Sequence, residues 1–369
     1  MMGIISRFFI EKFFRRQKPK SVAEYLDRFA ERLTATGIPG ILDRFYEAEE
    51  SFATIHHDDV ATESADGLTI RGRLYPVSYG DRRSGAGCRV CAASTVRTGS
   101  TESTGSTEST GSTDFSGSDS RGDDASDAGN ASSGCSRYMI LVHGFRSSGE
   151  RDFGLQFDFL RQCGFNVLVT DQRAHGRSDG EYISLGALEM QDVKSWTDFV
   201  LARDPAAEII LYGVSMGATA CGGAAGLLKT VPALKGLILD CGYVSPVSEL
   251  LHLTGDGRKP FIKTFMKIVS RNFLKKTGGD PATPDLLSAM KEISVPVLFV
   301  HGAKDTFVLP DNTKASFEAC ASPCKRLLIV EGAGHAGSFV RGEEEYRAAV
   351  IDLIKECFPK QPVNGNTEH

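Results

Sequence analysis

The residues best suited to chemistry lie at 213–217, where the sequence reads Gly-Val-Ser-Met-Gly. The apolar run at 209–212 predicts a buried parallel strand before them, and small residues from Met216 onward predict a helix after them. Glycines on both sides let strand and helix close tightly around a serine whose hydroxyl stays accessible. The N–H groups at the helix start point toward the place where negative charge would develop. Ser215 is therefore the candidate nucleophile.

Two later loops supply the groups that a serine nucleophile requires. Asp305 lies a few residues beyond a predicted strand at 297–300, and His335 lies in a glycine-rich loop after a predicted strand at 327–330. The order serine, acid, histidine along the chain is the order that a nucleophile elbow predicts. His335 would take the proton from Ser215, while Asp305 would fix the imidazole tautomer and stabilise the imidazolium.

Other residues compete for these roles. Asp240 ends the strand after the elbow helix and is an alternative acid, but the His-Gly-x-x-Asp loop favours Asp305 because it puts that carboxylate beside the final strand. His143 and His175 also follow predicted strands. Single polar residues in such loops more often hold the backbone by hydrogen bonds, which is the role expected of both.

The loop after the predicted strand at 138–142 reads His-Gly-Phe. Its backbone can supply a hydrogen-bond donor next to the nucleophile. The N–H groups of Phe145 and Met216 together predict an oxyanion hole with two donors.

From residue 138 onward, predicted strands and helices alternate almost without interruption. Repeated strand–helix units predict an α/β fold, with a mostly parallel, doubly wound sheet and helices on both faces. An Asp-Gly turn at 66–67 between two alternating segments predicts an antiparallel start to this sheet. Sites in such sheets form at the carboxyl ends of the strands, where every candidate loop lies.

We divide the chain into a helical extension at 1–52, an α/β domain at 53–358 and a tail at 359–369. Within the domain, 80–136 is rich in Ser, Thr, Gly and Asp and contains short repeats, which predicts a disordered surface insertion. Its closure entropy is small because that cost grows only logarithmically with length. The helical segment at 242–292 interrupts the strand series and predicts a small lid over the strand ends.

Composition disfavours several classes of protein. The net charge of −5 argues against a nucleic-acid-binding protein, which usually carries a basic excess. The 9 cysteines are odd in number and several lie within apolar segments, which favours a reducing cytoplasm over a disulfide scaffold. No histidine cluster completes a zinc site around them, so we expect neither metal nor cofactor. The sequence leaves the oligomeric state open.

Residues 1–20 combine phenylalanines and isoleucines with lysines and arginines. Their apolar runs fall short of the roughly 18 residues that a membrane span needs, and no cleavage site of small residues follows, as a secretory signal would require. Two interpretations stay open. The segment forms a basic amphipathic helix on an anionic membrane surface, or its phenylalanines pack onto the domain. We accordingly expect a cytoplasmic protein, with membrane association through this segment as an open alternative.

These motifs resemble the α/β-hydrolase superfamily, and within it the serine hydrolases called serine aminopeptidase-like or lysophospholipase-like. The resemblance covers about residues 53–357 outside the insertion and implies Ser215, His335 and Asp305 as nucleophile, base and acid. It rests on the segments His-Gly-Phe at 143–145, Asp-Gln-Arg-Ala-His-Gly-Arg-Ser at 171–178, Gly-Val-Ser-Met-Gly at 213–217, His-Gly-x-x-Asp at 301–305 and Gly-His at 334–335.

Three functions remain open at this point. The first hypothesis is a serine hydrolase that cleaves carboxylic esters of small molecules through an acyl-enzyme intermediate, in a modest apolar pocket under the lid. A peptidase that removes N-terminal residues would use the same triad but needs an anion for the α-amine, and the lid offers only Glu249 and Asp256. A non-catalytic, membrane-associated binding protein of this fold is the third, although such a protein has no use for a complete triad.

Overall fold

The computed structural model of the protein describes residues 2–16, 36–77, 136–253 and 260–359. The predicted insertion at 80–136 therefore lies outside the described residues except for Ser136, and the tail lies outside them except for Pro359. Part of the predicted helical extension, residues 17–35, is also outside them.

An eight-stranded sheet forms the centre of the domain, with the strands in the order β1-β2-β4-β3-β5-β6-β7-β8. β2 runs antiparallel to both of its neighbours, and all other pairs are parallel. The predicted α/β fold with a mostly parallel sheet is confirmed. The strands are β1 Asp58–Glu63, β2 Thr69–Tyr75, β3 Arg137–Val142, β4 Asn166–Asp171, β5 Glu208–Val214, β6 Leu234–Asp240, β7 Val297–Gly302 and β8 Lys325–Val330.

The helices connect these strands and cover both faces of the sheet. In chain order they are α1 Met2–Phe14, α2 Ile41–Thr54, α3 Gly149–Gln162, α4 Glu189–Arg203, α5 Met216–Leu227, α6 Pro246–Leu253, α7 Pro260–Thr277, α8 Leu286–Met290, α9 Pro310–Ala319, α10 Ser338–Arg341 and α11 Glu343–Cys357. None of the described helices is long and apolar enough to cross a bilayer.

The apolar strands explain why the sheet is buried between two helical layers. Successive side chains of a strand point to opposite faces, so Ile210 and Tyr212 pack with α3 and α11, whereas Ile209 and Leu211 pack with α4 and α5. A strand that is apolar at every position exposes apolar side chains on both faces of the sheet, so both faces must be covered by helices. Because β3 to β8 run parallel, their carboxyl ends lie along the same side of the sheet.

Three helices gather over these strand ends. α6 and α7 belong to the predicted lid segment at 242–292, and α1 packs alongside α7. Their buried apolar side chains form one cluster with Met216 and Phe145, the two residues expected to supply oxyanion donors. We call α1, α6 and α7 the cover.

Candidate active site

The turn between β5 and α5 holds Ser215 in a strained backbone conformation, with φ 55° and ψ −117°. The positions on either side of this turn require glycine, because a side chain there would clash with the neighbouring backbone. A Cβ on Gly213 would lie 2.2 Å from the Gly217 carbonyl oxygen, and a Cβ on Gly217 would lie 1.9 Å from that of Val142. The Ser215 N–H donates to the Asp240 carbonyl oxygen at 2.8 Å. Strand, turn and neighbouring strand thus fix the direction of the hydroxyl together.

The structure brings Ser215, His335 and Asp305 into one hydrogen-bonded chain. His335 Nε2 lies 2.9 Å from Ser215 Oγ, and its Nδ1 lies 2.7 Å from Asp305 Oδ2. The tautomer that satisfies both contacts carries its proton on Nδ1, which leaves Nε2 free to accept the serine proton. An arrangement of this kind can generate an alkoxide-like nucleophile.

Asp305 is held in its charged form by its surroundings. Its Oδ1 accepts the N–H groups of Phe307 at 2.9 Å and Val308 at 3.0 Å. Burial alone would raise the pKa of Asp305, but the hydrogen bonds from His301 and His335 outweigh it and hold that pKa well below its ordinary value. The carboxylate is therefore ready to stabilise a positive charge on His335.

His301, which the sequence motifs did not mark as a candidate catalytic residue, contacts the Asp305 carboxylate. Its Nε2 lies 3.2 Å from Asp305 Oδ2 and 2.9 Å from the Val308 carbonyl oxygen, and its Nδ1 lies 2.6 Å from Thr313 Oγ1. The ring is fully buried. The sequence signal was a histidine at the end of a buried strand, four residues before the acid.

The loop that carries Phe145 lies against the nucleophile. A Cβ built on Gly144 would stand 3.3 Å from Ser215 Cβ. Asp152, in the first turn of α3, accepts the Gly144 N–H at 2.7 Å and the Ser147 hydroxyl, which fixes the loop. Within the described part of the chain, no acceptor occupies the N–H of Phe145 or of Met216. Both donors are thus available to a ligand beside Ser215.

His175 anchors this loop from the side. Its Nε2 accepts the N–H of Arg146 at 3.0 Å, and its Nδ1 donates to the Arg173 carbonyl oxygen at 2.9 Å. Burial, with a smaller effect from neighbouring His143, lowers the pKa of His175 to about 3. The neutral ring therefore acts as a fixed hydrogen-bonding link next to the Phe145 loop.

His143 makes a similar pair of bonds. Its Nε2 accepts the N–H of Gln172 at 3.2 Å, and its Nδ1 donates to the Gly144 carbonyl oxygen at 2.8 Å. Both ring nitrogens are thus engaged by backbone groups, as expected for a histidine that holds two loops together.

Asp240, the alternative acid, lies in a different network. Its Oδ2 accepts the Tyr346 hydroxyl at 2.9 Å, and its Oδ1 lies 3.4 Å from the Ser338 hydroxyl. The Nδ1 of His335 is bonded to Asp305 instead. Burial raises the pKa of Asp240, so it is the less readily charged of the two acids.

Cys241 also lies at this point of the fold. Its sulfur and the ligand atoms of Asp305 and His335 all lie within 4.8 Å of one another. Burial holds the pKa of the Cys241 thiol well above its ordinary value, and the charges of Asp240 and Asp305 raise it further. A protonated thiol is a poor metal ligand, and the other two groups are already bonded to each other, so this trio fits a metal ion poorly.

Comparison with known proteins agrees with this architecture. Residues 135–282 match the family described as serine aminopeptidase, S33, a stretch that contains Phe145 and Ser215 but ends before Asp305 and His335. The chain is 28% identical over 219 residues to the uncharacterised protein YqkD of Bacillus subtilis (58% of this chain, 70% of that one). It is 23% identical over 249 residues to a caffeoylshikimate esterase of Arabidopsis thaliana (58% and 74%).

Among solved structures, the Pyrococcus furiosus esterase Pf2001 superposes with a TM-score of 0.53 at 20% sequence identity, covering 83% of this chain and 92% of that one. At this identity the likeness concerns the fold. These matches and the observed sheet confirm the α/β-hydrolase fold and the resemblance to hydrolases of that superfamily. Family and fold together support a hydrolase enzyme.

Proposed function

We propose that this protein is a serine hydrolase that cleaves carboxylic esters through an acyl-enzyme intermediate. The observation that carries the proposal is the chain of contacts from Ser215 Oγ to His335 at 2.9 Å and from His335 to Asp305 at 2.7 Å. These three side chains come from three loops at the carboxyl ends of β5, β7 and β8. A strained serine backbone is typical of functional sites. A serine that contacts one nitrogen of a histidine, with a carboxylate at the other nitrogen, is the arrangement that serine hydrolases use.

In the first half of the reaction, His335 Nε2 accepts the Ser215 proton as Oγ attacks the ester carbonyl carbon. The carbonyl oxygen becomes an oxyanion and accepts the N–H groups of Phe145 and Met216. Collapse of this intermediate breaks the bond to the alcohol, and the imidazolium returns its proton to the departing oxygen. The products are a free alcohol and an ester of Ser215.

In the second half, water takes the place of the alcohol. His335 removes a proton from the water, whose oxygen attacks the acyl carbon, and the same two N–H groups stabilise the new oxyanion. The bond to Ser215 Oγ then breaks, and Oγ recovers the proton from the imidazolium. The acid product leaves, so every proton and electron pair is returned and no cofactor is consumed.

The choice between ester and peptide substrates depends on Glu249. A peptidase of this kind would need an anion near Ser215 to bind the α-amine, and Glu249 on α6 is the buried carboxyl of the cover. Burial, together with the charge of Asp305, raises the pKa of Glu249 to about 8, so the group is mostly neutral at pH 7. A neutral carboxyl holds an ammonium group weakly. The names of the esterase relatives support the same choice, and we propose a small-molecule ester as the substrate.

A fluorophosphonate probe tests the nucleophile directly, because it reacts with activated serines. We expect labelling of the wild type and of the control Ser288→Ala, whose exposed hydroxyl donates to Asp285, and none of Ser215→Ala. Labelling that survives in Ser215→Ala, or is absent from the wild type, would refute the proposal. A panel of p-nitrophenyl esters and aminoacyl amides then separates esterase from peptidase.

A further inference from the structure

Helix α1 has two unlike faces. Its inner face contains Ile10 and Phe14, which are 0% and 3% exposed. Its outer face contains Ile5 and Phe8, which are 50% and 67% exposed and lie three residues apart, one helical turn. The two interpretations left open by the sequence therefore concern different faces of the same helix.

The inner face is docked beside the candidate active site. The Phe14 ring lies 6.2 Å from that of Phe145 and 5.3 Å from that of Phe273 on α7. Arg146, the residue after Phe145, donates from its guanidinium to the carbonyl oxygens of Lys12 and Phe13, at 2.7 and 2.8 Å. The end of α1 is thus bonded to the same loop that offers the Phe145 N–H to a ligand.

Further bonds hold α1 in this orientation. The Ile183 N–H donates to the Phe14 carbonyl oxygen at 2.7 Å. Glu11 accepts the Tyr182 hydroxyl at 2.9 Å and pairs with Lys276 of α7 at 2.7 Å. The outer face is consequently presented to solvent by a fixed helix, because the contacts on the inner side leave it little freedom to turn.

The outward side of α1 and α7 is basic, although the chain as a whole has a net charge of −5. Glu11 is the only acidic residue in the two helices, and it is paired with Lys276. Exposed apolar side chains lie among the bases. We define the outer surface by its exposed residues Ile5, Arg7, Phe8, Lys12, Lys267, Arg271, Leu274 and Lys275.

We propose that this outer surface binds an anionic lipid bilayer, with Ile5 and Phe8 inserted at the level of the acyl chains. Apolar residues that insert, flanked by lysines and arginines that meet lipid phosphates, are the combination that holds a helix in the interface. A protein partner would favour a larger and less charged apolar patch. The site below α1 would then receive its ester from the membrane, a substrate assignment that rests on the proposed function.

Vesicle binding tests the surface without catalysis. Full-length Ser215→Ala protein is sedimented with vesicles of phosphatidylcholine alone, or of equal parts phosphatidylcholine and phosphatidylserine. We expect binding to the anionic vesicles, weakened by added salt, and little binding to the neutral ones. In the same background, the double substitution Ile5→Glu with Phe8→Glu should weaken binding at least about tenfold.

Leu227→Glu is the matched control, since Leu227 is 41% exposed at the end of α5 far from Ser215. It should bind as the parent does. Absence of binding to anionic vesicles, or a double variant that binds as well as the parent, overturns the proposal. The double variant with Ser215 intact should still hydrolyse a water-soluble ester at the wild-type rate, which also shows that it is folded. If the wild-type chain hydrolyses esters but the Ser215→Ala protein does not bind anionic vesicles, this inference is rejected while the proposed function stands.

Discussion

The loops that carry Ser215, Asp305 and His335 and the cover above them are built in different ways. Each of these candidate catalytic side chains is fixed by groups close to it in sequence or on the adjacent strand, such as the Phe307 and Val308 N–H groups that hold Asp305. The cover is held by contacts between distant segments, such as Phe14 with Phe145 and Phe273. Each candidate catalytic loop is therefore shaped mainly by local contacts, whereas the cover depends on packing between distant segments.

This contrast predicts a graded response to mutation. Changes among the reactive groups should lower kcat strongly for every substrate, because they remove stabilisation that exists only in the transition state. Changes in the cover should discriminate between substrates, because they alter the apolar side chains packed beside Phe145 and Met216.

The largest effect is expected from Asp305→Asn. The amide can still accept the N–H groups of Phe307 and Val308, so the fold should be retained. It can no longer stabilise the imidazolium of His335, and kcat should fall about 10³- to 10⁴-fold. Steady-state ester hydrolysis measures the loss, and circular dichroism confirms the fold.

Asp240→Asn is the control, because Asp240 is the other acid at a strand end. Its amide can still accept the Tyr346 hydroxyl, and we expect less than roughly a tenfold loss. If Asp240→Asn were the more damaging of the two, the assignment of the acid would be reversed.

A smaller loss is expected when the positioning residue His175 is changed. In His175→Leu, the Arg146 N–H loses its acceptor and the Phe145 loop can shift. Removal of one oxyanion donor outright costs about 10²- to 10³-fold in kcat, so a displaced donor should cost about tenfold. KM should change little.

His175→Gln separates this role from general packing. The glutamine oxygen can accept the Arg146 N–H, and at least part of kcat should return. Equal losses in both variants would mean that the hydrogen bond does not position the donor.

The same contrast explains what could be predicted from the sequence. The strand, the two glycines around Ser215 and the loop positions of Asp305 and His335 follow from local patterns, and the parallel sheet then brings the strand ends together. The contact between His301 and Asp305 depends on how the loop after β7 bends back toward the end of that strand, which no sequence pattern indicates. The faces of α1 could not be assigned, because periodicity marks both Phe8 and Phe14 as apolar and only the contact with α7 decides which is buried.

Phe14→Ala tests whether the cover selects substrates. The substitution removes a buried ring between Phe145 and Phe273, and it should lower kcat/KM for long acyl chains by about tenfold while acetyl esters lose little. Phe8→Ala, on the outer face of α1, is the matched control and should leave both rates unchanged. A uniform loss across chain lengths in Phe14→Ala would contradict the proposed division between reactive loops and cover.

The smallest effect on turnover, but a clear one on stability, is expected at Glu249. Burial and the charge of Asp305 raise the pKa of Glu249 to about 8 from its ordinary value of 4.5. Between these two pH values the folded chain keeps a proton that the unfolded chain releases, so the free energy of unfolding falls as pH rises through this window. Glutamine cannot titrate. Glu249→Gln should thus match the wild type near pH 4.5 and be more stable at pH 8 by on the order of 3 kcal/mol, or on the order of 5 °C in Tm.

Thermal unfolding at the two pH values measures the difference, with Glu318→Gln, at an exposed position on α9, as the matched control. Ester hydrolysis by Glu249→Gln at pH 7 should stay within about threefold of the wild type, because a mostly neutral carboxyl is replaced by a neutral amide of similar shape. A selective loss of aminoacyl-amide hydrolysis would instead identify Glu249 as an anion that binds an α-amine. In that case a residue of the cover would determine the class of substrate on which the reactive loops act.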